Sequence, residues 1–287
     1  MKLSFLAHFA SLVLIASSNP TGCDFSLVGF GKDNPFGPTI GGKGGETVIV
    51  TSNAALISAV AGSTPRIVYA QGTFILDNDG ITTQNSTRVW IDHNEFESDI
   101  NHGPDYYDGQ CDIVRGSDWV TVSWNYFHDH WKSSLVGNSD AIRDVDTGHL
   151  HITYHHNYWR NEGTRGPAGR FGHQHIFNNL YEDFHYQAIH SRSDNQVLVE
   201  GNVFTGNTTE ALSTYGLVIP ADSPNTSPDG DYEIDGFANL GAKNDWGPAT
   251  INITQVGNFT KAPYMYSLTP LKQVQKVVKA GAGLGKI

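Results

Sequence analysis

The sequence predicts an all-β fold, a right-handed parallel β-helix with short capping helices at its ends. Three observations carry that expectation. Charged residues make up only 16% of the chain and Gly is abundant, a composition of turns and strands rather than helices. An apolar strand followed by Asn, any residue and an aromatic recurs, as Asn94-Glu95-Phe96, Asn125-Tyr126-Phe127, Asn157-Tyr158-Trp159, Asn179-Leu180-Tyr181 and Asn202-Val203-Phe204. The intervals between these copies are 31, 32, 22 and 23 residues, a fixed minimum with two longer steps. Coils of constant length, two of them carrying longer loops, give that spacing, and such coils stack about 4.8 Å apart. The repeated Asn turns a corner and bonds to its copy in the next coil, while the aromatics stack inside. A sandwich or propeller would place Asn-Gly or Asp-Gly hairpin turns between strands. None stands at these boundaries.

Taken in order, residues 1–18 read as a signal peptide. Lys2 gives the positive end, Leu3 to Ile15 the apolar run, and Ala16-Ser17-Ser18 the small-residue cleavage site. The run is too short to span a membrane, so the mature protein, a single domain over residues 19–287, is expected to be secreted. Cys23 and Cys111 are permitted to pair outside the cell, but the sequence does not show that they meet. Five sequons, at Asn85, Asn207, Asn225, Asn252 and Asn258, agree with that route; turn-forming asparagines are their plainer meaning. Residues 19–46 read as loop, and Thr47–Thr51 as a strand. Ser52 or Asn53 caps a short helix, Ala54–Ala61, ended by Gly62 and Pro65. Ile67–Ala70 and Thr73–Leu76 read as strands before the repeat begins. Beyond Gly206 the repeat fades, and 220–250, rich in Pro, Asp and Gly, read as a long surface segment. The tail from Pro270 begins as an amphipathic helix with Leu271, Val274, Val277 and Val278 on one face. That helix and the first one are natural covers for the open ends of a solenoid.

The formal net charge of −11 argues against nucleic acid as a partner. An acidic ligand therefore needs a local basic patch, and the stretch from Asp108 to Arg170 offers one. Acids come first, then Lys132, then Arg165 and Arg170 on either side of Pro167. Asp108 and Asp112 on a straight strand would stand about 13 Å apart. Gly109 lets the chain bend between them. With Asp77 and Asp79 they would make an oxygen-lined site suited to Ca2+, the alternative being an acidic turn in water. For Lys132 the bland alternative is a solvated lysine, and for the two arginines a surface ion pair. The histidine pairs His128/His130, His149/His151 and His173/His175, with His155-His156 and His93, lack the partners of a zinc motif. They read as packed or hydrogen-bonded rung residues.

Four segments together resemble one family, the secreted pectate lyases of polysaccharide lyase family 1, with a tail like the fungal branch. They are Val89-Trp90-Ile91-Asp92-His93-Asn94, Asp105-Tyr106-Tyr107-Asp108-Gly109, His128-Asp129-His130-Trp131-Lys132, and Arg165-Gly166-Pro167-Ala168-Gly169-Arg170 followed by Phe171-Gly172. The resemblance covers about residues 65–287. It implies calcium-dependent cleavage of polygalacturonate, the unesterified pectin of plant cell walls, by β-elimination. It implies Asp79, Asp108 and Asp112 as calcium ligands, with Asp77 a fourth. It implies Arg165 as the catalytic base and Lys132 and Arg170 as binders of substrate carboxylates, acting in a secreted monomer. Against the family pattern, about two coils are missing before Asp77 and Asp79. A solenoid can lose whole coils and still stack, so the competing expectation is a pectate-binding β-helix with impaired catalysis.

Overall fold

The computed structural model describes residues 12–14, 27–39, 42, 44–62, 64–70 and 79–286. Its strands form three parallel sheets that the chain visits in rotation. One full coil takes Cys111–Val114 in a seven-stranded sheet, Asp118–Ser123 in a nine-stranded sheet and Tyr126–Lys132 in a five-stranded sheet. The next coils repeat the circuit with Leu135–Val136, His151–His155 and Tyr158–Thr164, then Ala168–Gly169, His173–Phe177 and Leu180–Glu182. The pairings between coils are parallel, as in Ile152 opposite Val120 and Gln174, and among the described residues only Glu210–Ser213 against Thr250–Asn252 shifts register. This is the expected parallel β-helix, and its coil length is what the sequence repeat records.

The expected ladders are present. Asn94, Asn125, Asn157, Asn179 and Asn202 are linked Nδ2 to Oδ1, each at 3.0 Å. A further link at 3.1 Å joins Asn202 to Asn244, which opens Asn244-Asp245-Trp246. The repeat therefore does not end at Gly206; its next copy stands 42 residues on, beyond an inserted excursion. Inside the coil, Phe96, Phe127, Trp159, Tyr181, Phe204 and Trp246 stack in one file with ring centroids 4.1 to 6.0 Å apart. The longer intervals come from residues 98–110 and 137–150, which leave the coil as loops.

Helix α1 (Asn53–Val60) is capped by Ser52, whose hydroxyl accepts from Ala55 N at 3.3 Å, and packs Ala59 against Val50 and Val68. Helix α2 (Arg143–Asp146) is a single turn within the 137–150 loop. Helix α3 (Leu271–Gly281) sets Val274 and Val278 on Leu180 and Val203, outside the five-stranded sheet. The segment before it lays Phe259, Tyr264 and Tyr266 over the outer face of the nine-stranded sheet. The histidines pack there as rung residues: His151 stacks on Trp119 at 4.4 Å, and His175 pairs with Glu200 at 2.9 Å.

At the N-terminal end, Arg66–Ala70 and Thr87–Asp92 are not neighbours in the nine-stranded sheet. Leu12–Leu14, from within the expected leader, forms a parallel strand between them. One rung's place is thus filled from elsewhere in the chain. Cys23, the expected strand Thr73–Leu76, and Asp77 lie outside the described residues, while Cys111 is buried in the main core.

Candidate active site

The candidate residues gather where the seven-stranded sheet meets the end of the five-stranded one. Strand Ile81–Gln84 pairs with Cys111–Val114, which sets Thr82 opposite Asp112 and Asp79 just ahead of the strand. Gly109 is the point of convergence. Its N–H donates to Asp79 Oδ1 at 2.9 Å and to Asp108 Oδ1 at 3.1 Å. A Cβ on Gly109 would lie 2.4 Å from Asp112 Oδ1, so only Gly lets the three carboxylates come this close. Asp79 is further held by Thr82, whose hydroxyl donates to Oδ2 at 2.5 Å, and Asp112 by Leu135 N at 2.9 Å.

Carboxylates crowded in this way resist ionisation. Burial, then the Asp79 charge, push Asp112 up to about 8. Asp79 is raised too, by burial and by Asp108. Among the described residues, no three acidic, histidine or cysteine side chains already surround one ion position. The donor set is nevertheless all oxygen, and all three carboxylates approach Gly109, a chemistry that suits a hard cation such as Ca2+.

Cations face this cluster from the neighbouring coils. Lys132, opposite Thr164, puts Nζ 3.6 Å from Asp105 Oδ1 and 3.8 Å from Asp108 Oδ1. It is buried, not the solvated lysine of the plainer expectation. Arg165 follows at the corner after Thr164, with φ of 66°, ahead of the cis Gly166–Pro167 peptide. Its charge lowers the proton affinity of both Asp79 and Asp112, so guanidinium and acids share one field. Arg170 and Arg192 stand on successive rungs, since Val136, Gly169 and Ser191 align and Arg192 N donates to Gly169 O at 3.0 Å. His130, held to Asp108 O and Lys132 O, is driven down to about 4, first by burial and then by the nearby cations, and is neutral.

The arginines are not free, and their partners come from the stretch expected to be a surface segment. That expectation, for 220–250, is corrected in part: residues 214–236 fold back so that the buried Asp222 reaches the arginines, and Phe237–Leu240 rejoin the nine-stranded sheet as a coil strand. Asp222 accepts from Arg165 Nε at 2.6 Å, and its main-chain carbonyl accepts from Nη2. Its other oxygen accepts from Arg192 Nη1 at 2.7 Å. Glu233 takes Arg170 in a two-pronged pair, 2.9 Å to Nε and 2.5 Å to Nη2, and lies 3.1 Å from Arg192 Nε. Burial alone would lower Arg165, but Asp222 and then Asp112 outweigh it and hold the guanidinium above its ordinary value. Burial and the Arg192 charge lower Arg170. Asp222, Glu233 and Arg192 were not among the residues singled out in the sequence, because no motif or interval marks them.

Residues 39–287 match a family model described as pectate lyase. Pectate lyase A of Aspergillus niger is 35% identical over 302 residues, covering 88% of this chain and 87% of that protein. Probable pectate lyase A of Aspergillus fumigatus is 41% identical over 207 residues, 72% of this chain but 58% of that one. A pectate lyase of Bacillus sp. N165, solved in complex with trigalacturonate, aligns with a TM-score of 0.69 at 26% identity, covering 91% of this chain and 99% of that one. Pectate lyase C of Erwinia chrysanthemi, solved at pH 9.5 with 30 mM Ca2+, aligns at 0.57 and 26%, covering 85% and 70%.

Proposed function

Because the chain belongs to the pectate lyase family, we propose that it cleaves (1→4)-α-D-galacturonan by calcium-dependent β-elimination, leaving 4,5-unsaturated oligogalacturonates. One observation carries this reading: Gly109 draws Asp79, Asp108 and Asp112 together, with Lys132 Nζ 3.8 Å from Asp108 and the Arg165 charge acting on Asp79 and Asp112. Such a mixed cluster suits a polyanion only if the acids take up a cation. Asp79, Asp108 and Asp112, with Asp77, would hold Ca2+. When bound, it supplies positive charge beside the uronate carboxylate and makes the adjacent C5 proton more acidic.

The chain's own residues do the rest. Lys132 and Arg170 set positive charge where the enolate forms. Arg165, as the base, takes the C5 proton; the C5–H electron pair forms the C4=C5 bond, and the C4–O pair leaves on the oxygen of the departing sugar, which takes a proton from water. An arginine is a poor base while anions surround it, since its ordinary pKa lies far above neutrality. Neutralising the three aspartates removes part of the field that keeps Arg165 charged, but the Asp222 charge remains, so the neutral base is favoured by alkaline conditions. Secretion, as a monomer, belongs to the same reading. The sequence pattern of residues 1–18 supports it, against the place Leu12–Leu14 take in the nine-stranded sheet; Asn85, Asn207, Asn252 and Asn258, all exposed, support it too, and Asn225 is half-buried and donates to Val218 O at 2.9 Å.

A second reading, a pectate-binding β-helix with impaired catalysis, has its own support. Glu233 already fills the fork of Arg170. One assay separates the two: polygalacturonate with calcium and with chelator, following absorbance of the unsaturated product. Calcium-dependent product supports the lyase; binding without product supports the second reading.

A further inference from the structure

The row of arginines has a hub at Asp222, which is 1% exposed. Oδ1 accepts from Arg165 Nε at 2.6 Å and from Thr164 Oγ1 at 3.1 Å. Oδ2 accepts from Arg192 Nη1 at 2.7 Å, and Arg192 is fully buried. The Asp222 carbonyl takes Arg165 Nη2. Two of the three guanidinium nitrogens of Arg165 are therefore fixed by one residue, through side chain and main chain at once. Nη1 is not among them. A long side chain carrying about 2 kcal/mol of rotamer entropy is thereby reduced to one plane. Asp222 is itself locked, by Thr164 on one oxygen and Arg192 on the other. The charges of Asp79, Asp108 and Asp112 are all felt at Arg165, and none of these aspartates bonds to it.

We propose that Asp222 is a positioning residue for Arg165: it grips the Nε–Nη2 edge and turns Nη1 toward the groove lined by Asp79, Asp108 and Asp112. The proposal rests on the reading of Arg165 as the base. It makes the 214–236 excursion part of the reaction machinery. A proton-abstracting nitrogen must meet the C5–H within a narrow angle, and an edge held at two points gives that aim without consuming Nη1.

The test compares wild type, Asp222→Asn and Thr164→Val on polygalacturonate with calcium. Misdirection of a reacting group costs about a hundredfold, so kcat of Asp222→Asn is expected to fall about 30- to 100-fold with KM within about threefold. Thr164→Val keeps every charge and loses the Oγ1 contacts to Asp222 Oδ1 at 3.1 Å and to Trp131 O at 3.3 Å; a fall in kcat of about three- to tenfold at unchanged KM is expected. If Asp222→Asn melts below the assay temperature, Thr164→Val decides alone. A folded variant with wild-type kcat, or a loss confined to KM, overturns the proposal while leaving the lyase reading intact. A wild type that forms no unsaturated product overturns that reading first, and the proposal with it.

Discussion

Glu200 and Asp112 are both buried carboxylates of one solenoid, and their surroundings drive them in opposite directions. Glu200 lies under the C-terminal segment, on the outer face of the nine-stranded sheet. Burial there would raise it, yet bonds from His175, Tyr266 and Ala242 N outweigh that and bring it to about 2. Asp112 lies on the seven-stranded sheet, where burial and the Asp79 charge take it to about 8. Glu200 is satisfied: His175 and Ala242 N from the coils and Tyr266 from the C-terminal segment donate to it. Asp112 takes one main-chain donor, Leu135 N, and faces like charge that an added cation would relieve. Within one scaffold, the side with unrelieved like charge is the side to read for function.

The comparison is sharpened most by Arg165→Ala. Loss of the proposed base should lower kcat about a thousandfold or more, whereas Glu200→Gln should leave turnover per folded molecule unchanged. Equal losses in the two variants, measured on polygalacturonate, would erase the distinction between the faces. Next in size is Asp112→Asn. Above pH 8, where Asp112 is ionised, this change removes repulsion and should stabilise the cation-free protein by about 1–2 kcal/mol. It should also abolish the rise in melting temperature on adding calcium. A calcium-induced rise that survives in Asp112→Asn would remove this residue from the proposed cation site.

Asn157→Ala tests the scaffold that both faces share. The change removes the acceptor of Asn125 N and one acceptor of Asn125 Nδ2, and the side-chain donor to Val122 O and Asn179 Oδ1. A cost of about 2–4 kcal/mol in denaturant unfolding is expected. The smallest effect is the acid limb of stability. The folded value of Glu200, about 2, is depressed from an ordinary 4.5. Its stabilisation is therefore present above pH 4.5 and is lost as pH falls toward 2. Glu200→Gln should flatten that limb, and an unchanged slope would show that the bonds to His175 and Tyr266 carry no weight.

Legibility differed between the faces for a physical reason. Asn157 and Trp159 meet their own kind one coil away, so stacking imposes the same residue at a fixed interval. Asn244-Asp245-Trp246 obeyed the rule and was passed over because the 214–236 excursion stretches the interval to 42 residues. Gly109, Lys132 and Arg165 were visible as types in a pattern, but not the way the three aspartates close on Gly109.

Taken alone, the chain determined its coil length, its asparagine and aromatic files and the order of acids before bases, because each is written as repetition or as neighbours in sequence. Only the tertiary structure decided that Asp222 and Glu233 would seize Arg165 and Arg170, from 57 and 63 residues away. An inserted excursion has no counterpart on the next rung, so nothing periodic constrains its acids. Where it lands is settled by buried arginines that must find an anion once water has been excluded from them.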